Sequence, residues 1–299
     1  MDYRLLGSSD LRVSQIGFGC MSLPSNREKE NIHLIQHAVE LGINYFDTAD
    51  LYDKGMNESV VGKSLKNIRS KIVLATKVGN QWRADGTGWD WNPRKEYILK
   101  AVEESLTRLQ TEYIDLYQLH GGTLDDPIDE LIETFESLKQ QGKIRYYGIS
   151  SIRPNVIREY VKRSNIISVM MQYSLADRRP EESILDLLKE NNVGVLARGA
   201  LAQGLLVGKP AKEYLGHSKE SIAAAAQLLQ GIAVTTQTAA QTAIQFVLQH
   251  PAITAAVVGV SGTAQLKEIA ATTDKQKISA ADMDMLQDIL PASVYEQHR

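Results

Sequence analysis

The stretch Gly42–Glu58 joins a carboxylate and a phenol within a few residues. Apolar Ile43, Tyr45 and Phe46 run into Asp47, and Tyr52 follows after a short turn. Read as a buried strand, the stretch delivers an acid and a phenol to one rim. The same residues also fit a turn or helix capped by Asp47, with Tyr52 as an ordinary loop aromatic. Only the partners supplied by the rest of the chain separate the two readings.

Those partners depend on the elements around them. From Ile16 onward, short apolar runs alternate with amphipathic stretches, and eight such pairs are legible. The strands are expected at Ile16–Phe18, Tyr45–Asp47, Ile72–Thr76, Ile114–Leu119, Tyr146–Ile149, Val169–Gln172, Gly194–Ala197 and Ala255–Val258. The helices are expected at Glu28–Leu41, Glu58–Leu65, Arg94–Leu109, Pro127–Gln140, Pro154–Lys162, Glu181–Asn191, Thr236–Gln249 and Thr263–Ala271. Strands of a few residues alternating with longer helices indicate parallel βαβ units, and eight in series predict an α/β chain closed as a (β/α)8 TIM barrel. A doubly wound sheet is the rival, but Gly17-Phe18-Gly19-Cys20-Met21-Ser22 lacks the third glycine of a dinucleotide fingerprint. Residues 3–14 read as an N-terminal β-hairpin around Gly7-Ser8-Ser9-Asp10, and Ser279–Leu290 as an extra C-terminal helix. No linker or composition shift interrupts 1–299, which reads as one domain. Gly79–Pro93, with Trp82, Trp89 and Trp91, and Ala200–Gly231, with a helix near Ser221–Leu229, are long enough to be loops over an active-site face. The tryptophans suit either a substrate wall or loop anchors.

Composition narrows the partners. A 43% apolar content and a formal charge of −3 describe a globular chain with no bias toward nucleic acid. No apolar run approaches the ~20 residues that cross a bilayer, and a polar N-terminus adds to the expectation of a cytoplasmic protein. Cys20 is the sole cysteine, and His33 and His37 lack a ligand set, so no metal site is expected.

In a (β/α)8 barrel the chemistry sits at the carboxyl ends of the strands. Here those ends are Asp47, Lys77, His120, Ser150-Ser151, Gln172 and Arg198. Lys, Arg and Gln are poor helix caps, so this set is expected to face a ligand or one another.

The run Phe46-Asp47-Thr48-Ala49-Asp50-Leu51-Tyr52 with Asn57-Glu58, then Ala75-Thr76-Lys77, then Asp115-Leu116-Tyr117-Gln118-Leu119-His120, resembles the aldo-keto reductases. Gly148-Ile149-Ser150-Ser151, Met171-Gln172-Tyr173, Ala197–Leu206, Tyr3–Leu11 and Val258-Gly259-Val260-Ser261 extend the likeness along almost the whole chain. It is most similar to the bacterial branch that also resembles potassium-channel β-subunits. The resemblance implies an oxidoreductase that reduces aldehydes or ketones with NADPH, and with NADH as a second choice. No side chain donates hydride, so a nicotinamide must. Tyr52 would give the proton, with Lys77 as the cation that stabilises a phenolate, Asp47 holding Lys77 charged, and His120 contacting the substrate oxygen. Cofactor contacts implied by the likeness fall on Cys20, Met21, Asp47, Ser150, Ser151, Gln172, Arg198, Gly199, Ala200, Leu201, Gln203, Gly204, Leu205, Gly259, Ser261, Thr263, Gln265 and Glu268. Ser151 stands where many relatives have Asn, Arg198 where many have an aromatic ring, and Ser261 where a basic residue usually answers the adenosine 2′-phosphate. A nicotinamide-binding regulatory or redox-sensing subunit with little turnover is the alternative function. A metal-free barrel isomerase or hydrolase is a third, but it has no need of Ser150, Gln172 and Gly199–Leu206 together.

Overall fold

A computed structural model describes residues 1–24, 26–233 and 237–299. Eight parallel strands form a closed barrel: β1 (Ile16–Gly19), β2 (Tyr45–Asp47), β3 (Val73–Val78), β4 (Ile114–Leu119), β5 (Ile144–Ser150), β6 (Ser168–Gln172), β7 (Gly194–Arg198) and β8 (Ile253–Val258). Strand neighbours follow chain order, and β8 pairs with β1 to close the ring. The helices are α1 (Glu28–Glu40), α2 (Met56–Leu65), α3 (Lys95–Leu109), α4 (Ile128–Gln140), α5 (Pro154–Arg163), α6 (Ile184–Glu190), α7 (Lys219–Ile232), α8 (Ala239–Gln249), α9 (Thr263–Ala270) and α10 (Ala280–Ile289). Helix α7 is the extra one in the long seventh connection, and α10 the extra one at the C-terminus. The expected start of the eighth-unit helix, Thr236, lies outside the described residues.

Two cores hold the barrel. The larger packs Ile16, Phe18, Leu74, Leu119 and Ile149 against the helices, and the smaller fills the interior. Its members Tyr45, Val73, Ala75, Leu116, Met170, Leu196, Ala255 and Val257 face inward. Side chains of a strand alternate faces, so Asp47, Lys77, Gln118, Gln172, Arg198 and Gly259, each two residues beyond one of these, form the upper interior layer. The barrel pleat therefore gathers the polar strand ends. Below, an antiparallel hairpin of Tyr3–Leu5 and Arg12–Ser14 brings Leu6, Leu11 and Val13 into the smaller core and closes the bottom.

The structure corrects three expectations. Strands β3 and β7 run on through Lys77 and Arg198 rather than stopping before them. Lys77 pairs with Gln118 and Arg198 with Gln172 in the ladder, since a polar side chain leaves its backbone free to continue the sheet. Gly79–Pro93 is not an irregular loop but contains a hairpin, Asn80–Trp82 against Trp89–Trp91, clamped by Arg83 on Asp90 at 2.6 Å. Its strands are too short to show a period. The expected helix Glu181–Asn191 divides at Ser183 (φ −164°) into a short turn, Arg179–Glu182, and α6.

Helix α2 packs against the end of α3 through one glycine. A Cβ on Gly62 would stand 2.5 Å from the backbone carbon of Leu109 and 2.7 Å from the carbonyl oxygen of Arg108. Alanine is the better helix former by about 1 kcal/mol, yet backbone cannot give way as a side-chain tip can. Gly62→Ala is therefore expected to destabilise the protein by roughly 1–3 kcal/mol, read as a lowered midpoint in urea unfolding.

Candidate active site

The upper layer of the barrel is organised by one ammonium. Lys77 is 1% exposed. Its Nζ donates to Asp47 Oδ1, to the Thr48 carbonyl at 2.7 Å and to the Tyr52 hydroxyl at 3.2 Å. Three acceptors thus satisfy all three of its protons. Burial by itself pushes the ammonium toward the neutral form, but the charges of Asp47 and Tyr52 outweigh it, and Lys77 is held protonated above its ordinary range. Burial raises the Asp47 carboxyl, opposed by Lys77 and by Gln118, whose Nε2 donates to Asp47 Oδ2 at 3.1 Å.

Neighbouring elements fix this geometry. Thr48 donates to Asn57 Oδ1 at 2.7 Å, and Asn57 Nδ2 to the Cys20 carbonyl at 2.9 Å, tying the end of β2 to α2 and to the first strand–helix turn. Fully buried Glu58 accepts from Thr76 at 2.6 Å and from Arg108 at 2.7 Å. The Asn57-Glu58 pair is thus a brace behind the rim. Gln118 has no place among the sequence-derived site residues. Its signal is an amide inside an apolar strand, two residues before His120 and so on the same face.

His120 meets Tyr52 edge to face, with ring centroids 5.8 Å apart. Its N–H bonds Val78 at 2.7 Å, while ring Nδ1 is buried without a partner. Burial, then the charges of Lys77 and Arg198, push its pKa down to about 3. The ring is neutral in the physiological range, which suits a hydrogen-bond donor and not a charged acid.

The residues assigned to a cofactor fall into several groups. Ser150 and Ser151 lie nearly buried at the end of β5, and Ser151 Oγ accepts from the Arg153 N–H at 3.2 Å. Gln172 is engaged on both sides, donating to the Tyr214 hydroxyl at 2.9 Å and accepting from exposed Arg198 at 3.2 Å. Tyr214, from the long seventh connection, was not legible as a site neighbour. Gly199, Ala200, Leu201, Gln203, Gly204 and Leu205 coil tightly beyond β7, with left-handed φ at Gly199 (75°), Ala202 (46°), Gln203 (60°) and Gly204 (91°). Met21 is exposed, whereas the Cys20 thiol is buried, 3.8 Å from the Phe18 carbonyl and near Asp47 and Lys77. Helix α9 divides the last group. Ser261, Thr263 and Lys267 line a cavity of about 490 Å³ with Arg27 and His33. Gln265 and Glu268 line another of about 210 Å³ with Leu201 and Val207, and Glu268 accepts from Thr238 at 2.6 Å. Gly259, between these and the core, would drive a Cβ to 2.6 Å from Ser22 Oγ.

An extended dinucleotide fits these residues. Amide and hydroxyl groups stand at the ends of β5 and β6, and a coil in which left-handed residues adjoin right-handed Leu201 and Leu205, a backbone arrangement that can hold anions, follows β7. A cavity lies on each side of α9. Indole bonds run from Trp82 to the Leu51 carbonyl at 3.0 Å and from Trp91 to Asp126 at 2.9 Å, so these two anchor the hairpin. Trp89 is left 49% exposed. Among the described residues, no three His, Cys, Asp or Glu side chains converge as a metal site, and no helix is long and apolar enough to cross a membrane.

Replacing Lys77 by Met leaves Asp47 as an unpaired buried carboxylate, at a cost of about 3–5 kcal/mol. The folded-state pKa of Asp47 then rises further above its unfolded value. Stability is lost as pH climbs through that interval and returns as it falls. Urea unfolding of Lys77→Met should therefore show a smaller deficit at about pH 5 than at about pH 8, and Asp47→Asn added to it should remove most of the difference.

Known proteins resemble the chain in sequence and in fold. The sequence profile of the Aldo/keto reductase family matches residues 15–291. The chain is 48% identical to the "uncharacterized oxidoreductase YqkF" of Bacillus subtilis (strain 168), with all of both chains covered. It superposes on the holo form of an aldo-keto reductase from Bacillus halodurans with a TM-score of 0.94 at 50% identity, covering 100% of this chain and 99% of that one. A glycerol dehydrogenase from Gluconobacter oxydans gives a TM-score of 0.87 at 26% identity, over 99% and 98%.

Proposed function

The chain belongs to the aldo/keto reductase family, and from that footing we propose that it is an NADPH-preferring reductase of aldehydes or ketones, working as a single domain over 1–299 in the cytoplasm. The observation that carries the reading is the contact of one buried ammonium with both Asp47 and the Tyr52 hydroxyl. A bound nicotinamide supplies the hydride that no side chain can give. Tyr52 hands its hydroxyl proton to the carbonyl oxygen, and Lys77, 3.2 Å away, stabilises the phenolate left behind. Asp47 keeps Lys77 charged and in place, which matters because a lone buried ammonium tends to shed its proton. Neutral His120, beside the Tyr52 ring, offers a hydrogen bond that orients the carbonyl. Ser150, Ser151 and Gln172 are the groups for the carboxamide end, Arg198 and Gly199–Leu205 for the pyrophosphate, and Ser261, Thr263, Gln265 and Glu268 for the adenosine end. Trp89 is the exposed aromatic available to a substrate.

Tyr52→Phe removes only a hydroxyl. It is expected to fold, bind NADPH with unchanged affinity and lose roughly 10²–10⁴-fold in kcat for carbonyl reduction. Unaltered turnover in that variant would remove Tyr52 as the acid.

Preference between cofactors should be modest. Ser261 brings no charge to the 2′-phosphate, leaving the start of α9, Lys267 and Arg27 to attract it. Ser261→Arg adds one charge-assisted bond, worth about 1.5–3 kcal/mol, and should widen the NADPH-to-NADH ratio of kcat/KM roughly ten- to a hundredfold. A wild type that prefers NADH would overturn the assignment.

A further inference from the structure

Behind the segment that carries Tyr52 lies a second buried cluster that the proposed reaction does not use. Asp50 is 8% exposed. Its Oδ2 accepts from the Tyr97 hydroxyl at 3.0 Å, and its Oδ1 has no partner. Its backbone N–H donates to the Lys77 carbonyl at 3.3 Å. The carboxyl therefore hangs from the short segment that runs between the Lys77 backbone and Tyr52.

The chain is under strain immediately after Tyr52. Asp53, Lys54 and Gly55 are all left-handed, with φ of 49°, 53° and 85°. Such conformations in non-glycine residues are unfavourable and persist only when surroundings impose them. The surroundings here are Trp82, which donates to the Leu51 carbonyl, and Arg108, which leaves no room for a Cβ at Gly55: one would stand 2.8 Å from its Cδ and Nε.

Charges face Asp50 from every neighbouring element. Helix α2 brings Glu58, fully buried; α3 brings Tyr97, Arg108 and, more distantly, Glu104; β4 brings Tyr117, whose buried hydroxyl has no partner. Arg108 is committed to Glu58, so a single cation stands against two buried carboxyls. An ionised Asp50 is favoured by the Tyr97 hydroxyl, Arg108 and the Leu51 N–H but opposed by burial and the like charge of Glu58, and the relief open to it is for its segment to yield and admit water.

We propose that Asp50 is a positioning residue that makes the placement of Tyr52 depend on its own protonation: neutral Asp50 lets the segment hold Tyr52 against Lys77, and ionised Asp50 loosens it. The effect on turnover rests on the carbonyl-reductase reading above. Burial first, then the charge of Glu58, raise the Asp50 carboxyl to about 7, against the opposing pull of Tyr97, Arg108 and the Leu51 N–H. The transition thus falls where neither His120, neutral above about 3, nor an ion-paired Lys77 changes state.

The test compares wild type, Asp50→Asn and Tyr97→Phe. Asn keeps the shape and an acceptor for Tyr97 but cannot ionise, while Tyr97→Phe removes the bond that favours the carboxylate. In kcat profiles at saturating cofactor and carbonyl substrate, wild type should fall several-fold as pH rises through about 7. Asp50→Asn should be flat through that range, and the break should move to higher pH in Tyr97→Phe. NADPH affinity should change less than about twofold, since an alteration of the cofactor site alone would instead appear there. A break that survives unchanged in Asp50→Asn overturns the proposal. Thermal unfolding provides a readout independent of activity. A carboxyl raised in the folded state costs stability as pH rises from its unfolded to its folded value, so the melting temperature of Asp50→Asn should gain on wild type between about pH 5 and about pH 8. Equal pH dependence in the two proteins would refute a titrating Asp50 even in a chain with no reductase activity, whereas absence of carbonyl reduction in wild type alone would refute the functional reading.

Discussion

The ion pair of Lys77 with Asp47 is the constraint around which the upper half of the barrel is arranged. An ammonium removed from water loses several kcal/mol of solvation, and its partner loses as much. Such a pair survives inside a protein only when the remaining protons and lone pairs are met. Lys77 meets this with the Thr48 carbonyl and the Tyr52 hydroxyl, and Asp47 with the Gln118 amide. Among the described residues the third proton of Lys77 has no acceptor other than the phenol. Satisfying the buried charge and placing the proposed acid beside its cation are therefore one event. The same charge helps to keep His120 neutral.

A barrel suits this arrangement because its pleat puts each strand's inward residues in register with those of its neighbours. Below the rim these residues are apolar and packed, from Tyr45 through Ala75 and Leu116 to Val257. One step up they are Asp47, Lys77, Gln118 and Gln172. Stability and chemistry occupy adjacent layers of the same strands, and the Asn57-Glu58 brace joins them from outside. The division of α9 between two cavities has a similar origin. Residues four apart, Thr263 and Lys267, share one face of a helix, and Gln265 with Glu268, three apart, share another.

Much of this was legible in the sequence. Eight alternations of apolar run and amphipathic helix identify the barrel because the backbone period imprints itself on hydrophobicity, and the polar strand ends stand out as residues that burial would not otherwise permit. The limits are physical too. The extension of β3 through Lys77 is invisible because ladder bonds use the backbone, while hydropathy reports side chains. The tryptophan hairpin has only three residues in each strand, too few for a period. Gln118 looks like any strand residue until its face is known, and Tyr214 reaches Gln172 from 42 residues away. The buried partners of Asp50 come from α2, α3 and β4, and no local pattern links them.

The central claim is that this ammonium-bound phenol works with a nicotinamide to reduce a carbonyl. The direct measurement is a single-turnover experiment in which the preformed NADPH complex is mixed with a panel of aldehydes and ketones, while nicotinamide absorbance and the alcohol product are followed together. The account requires at least one carbonyl to oxidise the bound cofactor with one equivalent of alcohol formed. Tight binding of NADPH with no oxidation by any member of the panel would contradict it and would point to a nicotinamide-sensing subunit built on the same barrel.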